Sequence, residues 1–395
     1  MGLGANFKKY VARTFPGAHG REDAPTAVVV DGMVVLHTFA PRPDEATPAQ
    51  RLAGSLWHHM SDAPHAALCF DVSETTPSAK AIEWANRPAP AVAVLSSDVE
   101  AGLLFDQLPN YASLISSRRA RATLCRWLAQ ECVARMRASS VVRTLLVLHD
   151  CDPVLYQKLE DGSLVRTQRQ DLARSLHGEA DVSGIFAARF LWRECCGCSG
   201  VVECRTSDTD WVLIGVLNCF PGLRVRMHHF DRASRLPVFQ TVRCDALARD
   251  AARLYGITVH EFAALVASRG TDFVTPLLSG GGEWEEYMDA CAGALKKVKS
   301  RTCCSPVTEG EISVSALHAV FVEASERRQR ARLRYAREDG ELSRLAWHLF
   351  YMMHCPERGG EGLDCTRFGW TETDAGAVQK RRVVGAPSYT YSLSA

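Results

Sequence analysis

No apolar run in the 395-residue chain approaches the ~20 residues that a membrane-spanning helix needs, which excludes a helical membrane anchor and leaves no membrane among the expected partners. The opening residues Met1-Gly2-Leu3-Gly4-Ala5-Asn6 hold no apolar signal stretch, and Asn6 stands where N-myristoylation requires Ser or Thr. The expectation is an intracellular protein, with nucleus and cytoplasm both open. An excess of one charge is also lacking: 46 Lys and Arg face 45 Asp and Glu, a formal net charge of +1. A nucleic-acid-binding protein is often more basic, so affinity for a polyanion would have to come from the distribution of charge rather than its sum. Internal repeats and low-complexity tracts are absent as well.

Cysteine is plentiful but unpatterned. The 15 cysteines are an odd number, scattered through apolar stretches such as Ala67-Leu68-Cys69-Phe70. In a reducing compartment they read as small buried hydrophobes rather than a disulfide frame. The tightest group, Cys195-Cys196-Gly197-Cys198 with Cys204 beyond, has no C-x-x-C or H-x-x-x-H partner nearby, so a structural role is expected over a zinc site. The group His354, Cys355 and Cys365 is read the same way.

With 47% hydrophobic and 23% charged residues the chain can bury a substantial core. Ala27-Val28-Val29-Val30-Asp31 is a β-branched run ending in an acid, and Ala66-Ala67-Leu68-Cys69-Phe70-Asp71 repeats the design. Pro48 to Met60 between them has helical spacing, which makes 27–71 a right-handed strand–helix–strand unit with both aspartates at strand carboxyl ends. Further on, the pattern predicts one long basic helix from Asn110 to Arg137, a strand over 141–148, and a helix over 168–192 carrying Glu179 and Asp181. A strand over 201–204 runs into Thr206-Ser207-Asp208-Thr209-Asp210, and the alternation Arg224-Val225-Arg226-Met227-His228 predicts a later strand. Helices are expected over 246–255 and 259–268. After Gly280-Gly281-Gly282 the composition turns helical, with six arginines in the eleven residues from Arg327 to Arg337, and from about Glu357 the chain reads as a loosely ordered tail. The fold expected is α/β, a mostly parallel twisted sheet with helices on both faces, followed by a helical C-terminal region. Its division would be 1–275, 276–356 and 357–395.

The position of the acids is the informative feature. Asp31, Asp71, Asp208 and Asp210 follow apolar strands, Glu179 and Asp181 open a helix, and Asp272 sits in a Gly-containing turn. Any one strand-end Asp is most often a helix cap or turn residue. Seven carboxylates on five segments suit hard cations such as Mg²⁺ or Mn²⁺, which want oxygen ligands, and two such ions can clamp the attacking and leaving oxygens of a phosphodiester. Asp208 and Asp210, two apart after a strand, are expected to project to the same side of an extended backbone.

The order of these motifs resembles that of the flap endonuclease/XPG superfamily of structure-specific 5′ nucleases, which have a PIN-like core; the resemblance is to a divergent, viral-type branch. It rests on Met1-Gly2-Leu3-Gly4, on Asp31 in Val-Val-Val-Asp-Gly, on Phe70-Asp71 with Val72 in place of Gly, and on Glu179-Ala180-Asp181. It also rests on Ser207-Asp208-Thr209-Asp210 with Gly215, and on Gly270-Thr271-Asp272-Phe273. It covers roughly residues 1–275. It implies two Mg²⁺ ions (Mn²⁺ able to substitute), one on Asp31, Asp71, Glu179 and Asp181, the other mainly on Asp208, Asp210 and Asp272. Lys80 and Arg87, two helical turns apart in a basic arch, would reach the scissile phosphate, with Arg118, Arg119 and Arg121 as alternatives. Gly2 and the basic segment Arg327, Arg328 and Arg330 would contact nucleic acid. DNA in replication, repair or recombination is the favoured substrate. RNA stays open because a metal clamp touches phosphates and not the 2′-hydroxyl; the herpesvirus host-shutoff nucleases are the RNA-cutting relatives of this type, and a non-catalytic scaffold is the remaining alternative. The stretch Thr275 to Gly282 matches the family's duplex-gripping hairpin poorly, the segment from Asp181 to Asp208 is long, and there is no sliding-clamp binding box. Oligomeric state is open.

Overall fold

A computed structural model describes residues 4–19, 23–39, 48–71, 111–116, 118–149, 153–169, 172, 180–230, 237–270, 276–278, 283–308, 311–328, 342, 345–346, 349, 370–372, 378–380 and 390–392. In chain order the principal elements are α1 (Gly4–Thr14), β1 (Ala27–Asp31), α2 (Gly32–Thr38), α3 (Pro48–His58), β2 (His65–Cys69), α4 (Tyr111–Ser116), α5 (Arg118–Ala138) and β3 (Thr144–Leu148). There follow β4 (Val154–Lys158), β5 (Leu164–Gln168), α6 (Ala180–Phe190), β6 (Val202–Thr206), α7 (Asp210–Leu217), β7 (Leu223–Phe230) and β8 (Pro237–Arg243). The chain then becomes helical through α8 (Cys244–Tyr255), α9 (Val259–Ala267), α10 (Trp284–Thr302) and α11 (Val314–Arg327), with β9 (Glu311–Ser313) before α11.

Eight strands form one sheet in the order β5-β4-β3-β2-β1-β6-β7-β8. The middle five, β3-β2-β1-β6-β7, are parallel, and β4, β5 and β8 extend the edges antiparallel. Strand β1 is central, so the order reverses between β1 and β6, and in open α/β sheets the crevice outside the carboxyl ends at such a switch is where ligands bind.

Alternation along β1 divides the core. Val29 and Ala27 join a cluster with α1, α6, α7, α8 and α9, which continues without a break into Trp284, Met288, Leu295, Leu317 and Phe321 of α10 and α11. Val28 and Val30 point the other way, into a second cluster with α2, α3 and α5. Helices thus cover both faces, as expected. The strands are continuously apolar because both sides are buried, the signature of parallel sheets. Trp284 of α10 stacks on Tyr10 of α1 with ring centroids 5.3 Å apart.

Several local expectations are corrected. The helix expected over 168–192 begins only at Ala180, because Leu164–Gln168 is the outer strand of a β4–β5 hairpin. The helix from Asn110 is described as two, Tyr111–Ser116 and Arg118–Ala138. Asp210 to Leu217 is a helix buried on all sides, with Trp211, Val212, Leu213 and Ile214 no more than 1% exposed; periodicity fails where no face is polar. Without deciding the expectation of a loose tail, the described residues beyond 357 form β12 (Thr390–Ser392), paired antiparallel with β9, and the β10 (Trp370–Glu372) and β11 (Val378–Lys380) pair. Cys69, Cys204 and Cys244 are buried hydrophobes as expected, and burial raises their thiol pKa values, but Cys198, Cys219, Cys303 and Cys304 are exposed. Cys195 ends a π-helical turn (Leu191–Cys195) that lengthens the passage between Asp181 and Asp208. No helix among the described residues is long and apolar enough to cross a membrane.

Candidate active site

The carboxyl ends of β1 and β6 are tied together by their own side chains. Asp31 closes β1 and caps α2: its Oδ1 accepts from the Met33 N–H at 3.0 Å. Its Oδ2 accepts from the Thr206 hydroxyl at 3.1 Å, 175 positions along the chain. Thr206 Oγ1 in turn accepts from the Asp208 N–H at 3.0 Å, and Asp208 Oδ1 accepts from the Asp210 N–H at 3.0 Å. Asp31, Asp208 and Asp210 therefore belong to one hydrogen-bonded chain. Asp31 and Asp210 are buried, 5% and 4% exposed, while Asp208 is half-buried.

The extended geometry expected for Asp208 and Asp210 is corrected here. Thr209 lies at φ −78°, ψ −19°, helical values, and Asp210 is the first residue of α7. The aspartates are brought together by a turn in which Asp208 Oδ1 accepts from the N–H of Asp210, ahead of the N-cap Thr209, not by strand alternation. A carboxylate suits that place, since the first N–H groups of a helix are unpaired and carry partial positive charge.

A second pair forms on the neighbouring strand. Asp71, two residues beyond β2, accepts from the Ala180 N–H at 3.0 Å and so holds the start of α6, 109 positions away. Asp181 follows in the first turn of that helix, its Oδ1 accepting from Val182 N–H at 2.7 Å. Helix α6 packs on β1 and β2 and is drawn close to α7 by Gly184, where a Cβ would overlap the Trp211 ring. Gly32 plays the same part between the strands, since a Cβ there would overlap the Phe70 ring.

Lys8 is a member of this neighbourhood that sequence reasoning missed. Its ammonium donates to the Ser207 carbonyl at 3.2 Å, and burial lowers its pKa while the nearby Asp208 charge pulls it back up. Lys8 stands one turn into α1, beyond the reach of any spacing rule that starts from Asp208.

Glu179, Asp272, Lys80, Arg87, Gly2 and Arg330 lie outside the described residues. Arg118 and Arg119 open α5. Arg121 is 5% exposed and donates to the Ile115 carbonyl of α4 at 3.0 Å, so it joins two helices inside the fold. Arg327 lies 3.3 Å from Glu323 of its own helix, and the Arg328 guanidinium sits 5.7 Å from the Tyr287 ring centre.

The donor set is made of carboxylate oxygens, the type Mg²⁺ and Mn²⁺ prefer, and it stands at the switch point of the sheet. Among the described residues no three His, Cys, Asp or Glu side chains form a group that could hold a metal ion. What is gathered is a trio linked through Thr206 and a pair at the start of α6.

No known family and no curated protein matches this sequence. Among solved structures, the chain is similar to the bacteriophage T5 D15 protein co-crystallised with metal ions, at 10% identity and a TM-score of 0.38, over 83% of this chain and 90% of that one. It is also similar to the T5 D15 flap endonuclease in a pseudo-enzyme-product complex with DNA and metal ions, at 11% identity, TM-score 0.37 and the same coverage. Flap endonuclease-1 from Methanococcus jannaschii matches at 12% identity and a TM-score of 0.35, over 83% of this chain and 93% of that one. These are likenesses of weak overlap, and no residue's role is taken from them.

Proposed function

We propose that the chain is a divalent-metal-dependent phosphodiester hydrolase acting on nucleic acid, and more particularly a structure-specific 5′ flap endonuclease or exonuclease on DNA. The observation that supports this most is the aspartate trio Asp31, Asp208 and Asp210, linked through Thr206 at the switch point beside Asp71 and Asp181. A structural capping role explains each aspartate singly. It does not explain why four follow the carboxyl ends of three adjacent strands while a fifth, Asp181, lies in the first turn of the helix that Asp71 holds.

Mg²⁺ or Mn²⁺, when bound, would supply positive charge to the attacking and departing oxygens of the phosphodiester. Asp31, Asp208 and Asp210 would hold it with Asp272, and Asp71 and Asp181 with Glu179. The hydrogen bonds from Met33, Thr206, Ala180 and Asp210 fix the orientation of these carboxylates, which would have to draw closer together to share an ion. Lys8 secures the Ser207–Asp208 turn. Lys80 and Arg87 are proposed to face the scissile phosphate, and Gly2, Arg118, Arg119, Arg327, Arg328 and Arg330 the nucleic-acid backbone. A viral origin has no structural observation behind it and is not part of the proposal.

The test is a gel assay of the purified chain with labelled 5′-flap DNA, hairpin DNA and single-stranded RNA, in Mg²⁺, Mn²⁺ or EDTA. Cutting of the flap in either metal and none in EDTA is expected. Cutting of RNA alone would redirect the substrate to RNA, and no cutting of any substrate in either metal would overturn the reading.

A further inference from the structure

The outer corner of the sheet gathers cations around the β4–β5 hairpin. Arg143 precedes β3, and its carbonyl accepts from the Lys158 N–H at 2.8 Å. That bond carries the Thr144–Gln157 pairing one step further and sets Arg143 opposite Lys158. Lys158 pairs in turn with Leu164, and Tyr156 with Arg166. Alternate residues of a strand share a face, so Arg143, Lys158 and Arg166 stand on one face of three adjacent strands. It is the α5 side, where Tyr156 and Leu164 pack against the core under that helix. Arg137 joins from the last turn of α5, because the Lys158 ammonium donates to the Arg137 and Ser139 carbonyls at 2.8 Å each. We infer that this corner is a binding surface for the sugar–phosphate backbone of a nucleic acid, apart from the carboxylates.

The arrangement is costly unless something neutralises it. Like charges directly opposite on paired strands destabilise them, and diagonal neighbours, ~7–8 Å apart, still interact. Other arginines at the surface lie close to acids: Arg13 is 2.6 Å from Glu285, Arg253 3.3 Å from Asp250 and Arg327 3.3 Å from Glu323. Arg137, Arg143 and Arg166 are exposed, and among the described residues none of the three has an ion-pair partner. The acids nearest in sequence, Glu160 and Asp161, belong to the hairpin turn, where Asp161 accepts from the Ser163 N–H at 2.8 Å and hydroxyl at 2.6 Å. His65, at the start of β2, registers the charge: its pKa is lowered by burial first and by Arg143 second. Phosphates would supply the missing negative charge, and a guanidinium donates to their oxygens whatever the base sequence. Strand β5 ends the sheet, with Arg166 and Thr167 exposed at its rim. Arg143 stands one strand length, ~17 Å for five residues, from the carboxyl edge that holds the aspartates, so the corner can be altered without touching them.

The choice of nucleic acid over another polyanion rests on the proposed hydrolase. Binding is therefore measured without cleavage, by fluorescence anisotropy of the full chain in EDTA with a labelled duplex, a labelled single strand, and labelled polyglutamate of equal charge. R143Q/R166Q is expected to weaken nucleic-acid binding by at least about tenfold, a modest figure for two charged hydrogen bonds. The log–log salt slope should fall by about two, one for each phosphate no longer neutralised. The form that loses more, duplex or single strand, is the one the corner holds. E160Q, at the hairpin turn, should leave binding unchanged or strengthen it. If circular dichroism shows that the double variant does not fold, R166Q alone takes its place, with a slope change of about one. No nucleic-acid binding in EDTA, or affinity and slope untouched by the arginine variant, would overturn the surface. Polyglutamate bound as tightly as nucleic acid, with the same loss in R143Q/R166Q, would overturn it in favour of an acidic protein segment. A chain that binds as expected but cuts nothing loses only the hydrolase reading, and one that cuts but binds independently of Arg143 and Arg166 loses only the corner.

Discussion

Each aspartate at the strand ends holds a backbone N–H of a helix start, or a hydroxyl that leads to one, before it can hold anything else. That double duty explains how the acids were legible while their arrangement was not. Asp31, Asp71 and Asp208 stand out because each follows an apolar β-branched or aromatic stretch. Nothing in that pattern shows that Thr206 joins Asp31 to Asp208, or that Lys8 comes to lie beside them, because both contacts are made across more than 150 positions. Replacing Asp210 with Asn should keep the shape of α7 while removing a charge; metal-free stability in urea should be unchanged or higher, because repulsion among Asp31, Asp208 and Asp210 falls. Flap cleavage in Mg²⁺ should drop by roughly a thousandfold. Near-normal cleavage by D210N would remove this motif from the chemistry.

At the scale of elements, the parallel strands were readable because they are short apolar runs bounded by turns, and α3, α8 and α9 because their starts and faces are marked; the short α2 directly after β1 was not read. Helix α7 was not, since burial on every side erases its period, and the β4–β5 hairpin was hidden because its outer strand is largely exposed and polar. The close fit of α6 on α7 makes Gly184→Ala costly: the added methyl overlaps the buried Trp211 ring, and a loss of about 3 kcal/mol is expected from overpacking. Urea unfolding of G184A checks it, with the exposed Gly162→Ala, at φ 83°, as a contrast whose cost is backbone strain rather than collision.

Helix α9 carries a pH signal. Glu261 is buried, which alone would raise its pKa, but the Lys299 ammonium at 2.8 Å, the Thr258 N–H and the Ser305 hydroxyl outweigh that and lower it below the ordinary 4.5. A depressed carboxylate pKa stabilises the fold above the unfolded value and loses that contribution as pH falls through the folded one. E261Q should therefore cost stability at pH 7, about 3 kcal/mol if Lys299 is left unpaired, and the gap to wild type should narrow progressively as pH falls below the ordinary 4.5. A gap that stays constant from pH 7 to pH 3.5 would rule the ion pair out as its source.

Across the whole molecule, a near-zero net charge conceals separate populations of charge: acids at the carboxyl edge of the sheet, Arg205, Arg224 and Arg226 on one face of β6 and β7, and a basic stretch from the end of α11. If that stretch binds phosphates, reversing Arg327, Arg328 and Arg330 to Glu should weaken nucleic-acid binding and flatten its dependence on salt, by roughly one unit of log–log slope for each phosphate no longer neutralised. Fluorescence anisotropy between low and moderate salt measures both. An unchanged slope would mark an ordinary solvated surface, with the loss confined to the Arg327–Glu323 ion pair, about 0.5 kcal/mol.

The central place of β1 has a consequence during synthesis. Its two neighbours come from opposite sides of the chain: β2 follows it closely, but β6 ends at Thr206, 175 positions after Asp31. At about 5–20 residues per second, roughly 9–35 seconds separate the two on the ribosome. For that interval the growing polypeptide carries Val28-Val29-Val30 with one edge open, a template for unwanted pairing that calls for protection by chaperones. The same delay means that no truncated product ending before Thr206 can assemble the aspartate trio.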